Sequence, residues 1–371
     1  MRTTIILIFS LFLFNIGFAQ SIPADSLKTN NDFPIKVKRL SPRVVLLTGR
    51  LWLTNVLVIA SNKGMVMVGA PFSKNITHYY MEAAEKEFNR KDFIYLINSS
   101  AGLESIGGNS AFKNETIIGH IEITQDIIKG KEDTINKLNP LYQPNRIALC
   151  KDLIEHAEKN RDTMPKNSEN FKLINSIIKN WQDLETEYSI DKEFLPPNLT
   201  FTDEMKLELG DITIQLINYG HAHFTSGTFI YIPQESILYT GSVMDKETLP
   251  FVSITKETPN TIVTDWISIL NKFTNDNVDL KYIIVQNGLT KNMFDKEVLK
   301  EYDSYITSLW EQIRLLKKEK KTLEEIKSIL KFETKFKEFN NLQNNLYINT
   351  PWEVNNIHEK NIESFWLLLE K

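Results

Sequence analysis

Residues 98–112, Asn-Ser-Ser-Ala-Gly-Leu-Glu-Ser-Ile-Gly-Gly-Asn-Ser-Ala-Phe, follow a β-like run, Phe93–Ile97, and set Ser99, Ser100 and Ser105 beside one carboxylate, Glu104. Gly107 and Gly108 close the stretch, and paired glycines after a strand mean backbone passing close to something. The residue types suit hydrolytic chemistry, with a serine as nucleophile or a carboxylate to orient a base or hold a metal. The stretch itself has no histidine. Two come later, in Gly220-His221-Ala222-His223. In extended chain, alternation turns His221 and His223 to one face; in a loop their directions are open. A Gly-x-Ser-x-Gly elbow, which would present a serine for attack, is absent. The sole cysteine, Cys150, ends an apolar run, Ile147-Ala148-Leu149-Cys150, and reads as a packed thiol.

Positioning these residues takes a substantial core. Hydrophobic residues make up 42% of the 371, and the net charge of −4 carries mixed signs, which gives no footprint for nucleic acid or an anionic membrane. The chain opens with Arg2, an apolar run from Ile5 to Ile16, and small residues in Gly17-Phe18-Ala19 before Gln20, the pattern of a cleaved signal peptide over 1–19. The expected protein is therefore exported, periplasmic or secreted, with no membrane span after cleavage. No Cys follows the site, as a bacterial lipoprotein would require, and one cysteine leaves no internal disulfide.

Residues 20–35 are polar and are expected to be loose. β signals then crowd together at 43–47, 53–60 and 65–68, with Asn62-Lys63-Gly64 as a hairpin turn. A helix from Asn75 to about Arg90 leads into the 93–97 strand, a strand–helix–strand unit that implies layered α/β architecture. From about 122 to 191 charged amphipathic segments form a helical insertion. Strands return at 205–217, 228–232, 236–240 and 282–285, with a helix over about 259–273. The end is helical, and Thr322-Leu323-Glu324-Glu325 is a capping box. His78 and His156 sit in helical patterns, His120 ends a short strand and His358 lies in the tail; none is assigned chemistry.

In order and spacing the chain resembles the metallo-β-lactamase superfamily. Gly64-Met65-Val66-Met67-Val68-Gly69-Ala70-Pro71 is similar to that family's third strand. Residues 93–109 are similar to the strand and loop that carry its His-x-His-x-Asp-His-x-Gly-Gly-Asn signature. Gly220–His223 with 229–241 is similar to its later ligand loop and hairpin, and 283–288 to its last ligand segment. The resemblance implies a four-layer αββα sandwich over 36–300, interrupted by the insertion and followed by a helical C-terminal extension, 301–371.

With Gly107-Gly108-Asn109 aligned on the signature, Ser100, Gly102 and Ser105 stand where it has histidines, and Glu104 where it has Asp. Ser242 takes the bridging Asp position, Asn287 the last His and Gly69 the third-strand Asp; His223 alone matches a ligand His. Zinc asks for three or four N, S or O⁻ donors, and neutral hydroxyls and amides are poor ones. The expected protein is thus a pseudoenzyme without the dinuclear zinc site and with no cofactor, binding a small organic ligand or a protein partner. Leu249-Pro250-Phe251 would help shape its cleft. One alternative is a hydrolase of ester, thioester or lactam bonds with one weakly bound zinc on His223, Glu104 and His221. Another is an interaction protein acting through the insertion. A serine nucleophile among Ser99, Ser100, Ser105 and Ser242, activated by His223, is the least favoured.

Overall fold

The computed structural model describes residues 35–49, 54–132, 141–190, 194–220, 227–241, 243–244, 249–250, 252, 262–286, 293–342 and 354–370. The signal peptide expected over 1–19 lies outside them. The chain divides into two compact units, one of Met1–Ile59, Met65–Ile118 and Ile123–Leu199, the other of Ala60–Gly64, Gly119–Glu122 and Thr200–Lys371.

A seven-stranded sheet runs in chain order: β1 (Ile35–Arg39), β2 (Val44–Gly49), β3 (Asn55–Ala60), β4 (Met65–Val68), β5 (Phe93–Asn98), β6 (Thr116–His120) and β7 (Leu199–Phe201). Every residue of β3 and β4 is buried. Their unbroken apolar runs are those of strands covered on both faces, where alternation would waste a face. The hairpin turn between them is held by Ser61, whose N–H and hydroxyl both donate to the Gly64 carbonyl, at 3.0 and 2.7 Å. β4 pairs in parallel with β5 across helix α1 (Lys74–Phe88). Ser73 starts that helix by accepting the Ile76 N–H at 3.2 Å, and Asn89, left-handed at φ 51°, ends it. β1 was not legible as a strand. Four of its five residues are exposed and three are charged, which suits a sheet edge and hides the apolar pattern.

Short α2 (Leu103–Ile106) follows β5, and α3 (Ile121–Glu132) follows β6. Helices α4 (Gln143–Asp162) and α5 (Glu169–Ile190) make an antiparallel hairpin within the expected insertion, pinned where Gln143 Nε2 donates to the Tyr188 carbonyl at 2.7 Å. Asn180 sits in α5 at 2% exposure, with neither its amide oxygen nor its nitrogen paired among the described residues. Replacing an unpaired buried amide with an apolar group of similar size removes its desolvation cost. Asn180→Leu is therefore expected to raise unfolding stability by about 1 kcal/mol. Urea denaturation checks this, and a lowered midpoint would mean that the amide is paired in solution.

In the second unit β8 (Glu204–Glu208), β9 (Thr213–Asn218), β10 (Thr228–Ile232), β11 (Ile237–Tyr239), β12 (Tyr282–Ile284) and β13 (Met293–Phe294) form a sheet ordered β13-β12-β11-β10-β9-β8. Only β11 and β12 pair in parallel, and helix α6 (Ile262–Thr274) connects them. Helices α7 (Lys296–Lys318), α8 (Leu323–Ile329), α9 (Phe332–Lys335) and α10 (Val354–Leu368) complete the unit. The capping box is present: Thr322 Oγ1 accepts the Glu325 N–H at 3.3 Å, and the Glu325 carboxylate accepts the Thr322 N–H at 2.8 Å. The helices beyond residue 300 share one hydrophobic core with the sheet, from Phe229 and Trp266 through Leu309 to Phe336 and Phe365. No described helix is long and apolar enough to cross a membrane.

Candidate functional site

The four signature positions that follow β5 come together in the first unit. Ser100, Gly102, Glu104 and Ser105 are all buried, Glu104 at 5% exposure. The two serine hydroxyls are held by local backbone. Ser105 Oγ accepts the Ser99 N–H at 2.8 Å and the Ser100 N–H at 3.3 Å. Ser100 Oγ accepts the Gly102 N–H at 3.3 Å. These hydroxyls close the turn that carries the chain from β5 into α2, where Gly102 is the N-cap.

A Cβ on Gly102 would displace the Glu104 carboxylate, standing 2.5 Å from Oε1 and 2.9 Å from Oε2. The Glu104 carboxylate thus folds back over residue 102 and fills the volume a larger residue there would occupy. Gly69, at the end of β4, has φ +87°, and its N–H donates to the Ile97 carbonyl at 2.9 Å. The positive φ there favours glycine.

The paired glycines have a direct cause. A Cβ on Gly107 would meet the Phe72 carbonyl and lie 2.6 Å from the Leu103 oxygen; one on Gly108 would meet Thr77 Oγ1 and lie 2.5 Å from the Ser73 oxygen. The loop passes flush against the start of α1, and the Gly108 N–H bonds the Ala70 carbonyl at 2.9 Å. Asn109 does more than brace a turn. It exchanges two hydrogen bonds with Asn98, at 2.9 and 2.8 Å, and donates to the Leu195 carbonyl at 2.8 Å. Asn98 also donates to the Ser105 carbonyl at 2.7 Å. Sequence reasoning gave no role to Asn98, whose signal was only a polar residue ending a buried strand.

The insertion also reaches this loop. Tyr188 Oη donates to the Phe72 carbonyl at 3.1 Å, and the Phe72 N–H bonds the Leu103 carbonyl at 2.8 Å. Burial pushes the Tyr188 phenol well above its ordinary value, with Glu187 and Glu104 adding to the shift and Arg146 opposing it. Arg146 is 1% exposed, its guanidinium 4.0 Å from the Phe194 ring centroid and 5.0 Å from that of Tyr188. Cys150 is buried and its thiol is pushed up to about 12, chiefly by burial, so it stays protonated and packed.

His221, His223, Ser242 and Asn287 lie outside the described residues. The strand ends that lead to them meet at one end of the second sheet. Asn218 faces Thr228, Tyr239 faces Ile284, and the Gln286 N–H bonds the Gly241 carbonyl at 3.0 Å. His120 is a structural residue: Nε2 donates to the Thr202 carbonyl at 2.7 Å and Nδ1 accepts the Glu122 N–H at 3.3 Å.

Neither a family model nor a curated protein matches the chain by sequence. Among solved structures it is similar to the stereoselective inverting sec-alkylsulfatase of Pseudomonas sp. (TM-score 0.56, 10% identity, 90% of this chain and 50% of that one). It is also similar to a metallo-β-lactamase from Pontibacter korlensis (TM-score 0.47, 11% identity, 74% of this chain and 99% of that one). A third match is a metallo-β-lactamase from Hirschia baltica (TM-score 0.44, 14% identity, 74% and 98%). The fold is that of the metallo-β-lactamases. The chain spans about half the length of the alkylsulfatase it matches.

On the metallo-β-lactamase fold, the loop after β5 is the stretch expected from the signature. Of the four positions set against that signature, Glu104 alone carries an anionic oxygen. Among the described residues, no three His, Cys, Asp or Glu side chains are grouped to hold a metal.

Proposed function

We propose that this is an exported protein of the metallo-β-lactamase fold that acts by binding a small organic ligand, without a dinuclear zinc site. One observation carries the reading: the Ser105 hydroxyl is committed to the backbone turn, accepting the Ser99 and Ser100 N–H groups. A residue in that role is structural. Ser100 repeats the pattern on the Gly102 N–H, and Gly102 offers no donor atom. The described positions therefore do not fit zinc, which needs N, S or O⁻ ligands in a tetrahedral set. Glu104 is one anionic ligand, and one is too few.

The test is zinc content of the chain from residue 20 onward, measured by elemental mass spectrometry after zinc loading and buffer exchange. Near-zero zinc per chain is expected. Tightly held zinc that is lost in His223→Ala would overturn the reading and favour a mononuclear hydrolase on His223, Glu104 and His221.

A further inference from the structure

The second unit holds a buried polar chain that no part of the site explains. Asn361 of α10, 0% exposed, grips Pro250 and Val252 as a β-strand neighbour would: Oδ1 accepts the Val252 N–H at 3.1 Å and Nδ2 donates to the Pro250 carbonyl at 2.6 Å. Nδ2 also donates to Tyr305 Oη at 3.2 Å. Tyr305 meets His358 Nδ1 at 2.9 Å, and His358 Nε2 lies 2.7 Å from the Leu330 carbonyl. A carbonyl only accepts, so Nε2 carries the ring proton. Nδ1 is then the acceptor, and the Tyr305 hydroxyl donates to it. Asn361 Nδ2 donates twice, Tyr305 Oη accepts from it and donates onward, and that direction depends on an unprotonated Nδ1.

We infer that α10 is a proton-sensitive latch on Pro250 and Val252, closed when His358 is neutral and loosened when it is charged. A second proton on the ring sits at Nδ1 and points at the Tyr305 oxygen. The hydroxyl hydrogen must turn to its other in-plane position, toward the side where Asn361 already donates. The two donors then compete for one place, and the grip on Pro250 and Val252 weakens. Around the imidazole, Tyr305 of α7 touches it, Glu333 of α9 acts on it at longer range, and the rings of Phe332 and Phe336 pack against it.

The direction of titration agrees with this geometry. Burial holds the His358 imidazole below the ordinary histidine value, against the opposing pull of the Leu330 carbonyl and Glu333. A histidine lowered in the folded state contributes stability that is full above about pH 6.5 and lost as pH falls through the folded value. The latch therefore opens on the acid side, in the range a secreted protein can meet.

The test is hydrogen exchange of the full mature chain, followed by mass spectrometry in the peptide bearing the Val252 amide and corrected for intrinsic rates. Between pH 7.5 and 5, wild-type protection there should fall on the order of tenfold or more, while α7 core peptides hold theirs. His358→Gln, which keeps an acceptor and a donor but does not titrate, should flatten the response. Asn361→Leu should be open at both pH values. Unchanged wild-type protection at acid pH, or an acid loss that persists in His358→Gln, would overturn the latch. Should His358→Gln fail to fold, the His358 titration followed by NMR in the wild type decides: a value at or above the ordinary one overturns it. Zinc content does not enter, so this outcome is independent of the binding-protein reading.

Discussion

Asn109→Ala is expected to cost about 3 kcal/mol of unfolding stability, because the substitution strands a buried partner and a half-buried one. The Asn98 oxygen, in the interior, loses its donor and bears its full desolvation penalty, while the Leu195 carbonyl, half-buried, loses its donor at a smaller cost. The Asn98 amide keeps the Ser105 carbonyl at 2.7 Å, so the loop is weakened at one end rather than freed at both. The loss should appear as a lower urea midpoint. A double variant, Asn98→Leu with Asn109→Leu, should cost clearly less than the sum of the single changes, since the two amides are each other's partners. A single variant within about 0.5 kcal/mol of wild type would mean that the amide ring is not what holds the loop.

The expected role for Asn109 was turn bracing, and the reason it was underestimated is distance along the chain. Leu195 is 86 residues away, and no local pattern links the two. The same holds for Tyr188 and Phe72, 116 residues apart. Features whose physics is local were legible. The Thr322–Glu325 capping box, the Ser61–Gly64 turn, the continuous apolar strands and the tight passage at Gly107-Gly108 all follow from a few neighbouring residues. Features set by tertiary packing were not. The β1 edge strand has no apolar stripe to reveal it. His358 looked like a tail residue because nothing near it in sequence predicts that Tyr305 and Leu330 converge on it. The order of strands and the position of Gly-Gly-Asn made the fold legible, because both follow from the course of the backbone.

Gly102 and Glu104 are a matched pair, and their coupling should be measurable as a cycle. Gly102→Ala alone is expected to cost about 1–2 kcal/mol, because the atoms in the way are the end of one side chain, which must give up its buried place. The new Cβ meets Oε1 at 2.5 Å and Cδ at 2.7 Å, so the carboxylate must leave its place. Glu104→Asp draws the carboxylate back by one methylene and empties that volume. In the Glu104→Asp background the same Gly102→Ala change should cost less than about 1 kcal/mol, and the difference is the interaction energy of the pair. Additive losses, measured by urea unfolding of all four proteins, would show that the carboxylate yields without strain and that the two positions are independent. A larger side chain at 102 would displace the Glu104 carboxylate in the same way, so a substitution there that keeps the loop intact is one that also shortens residue 104.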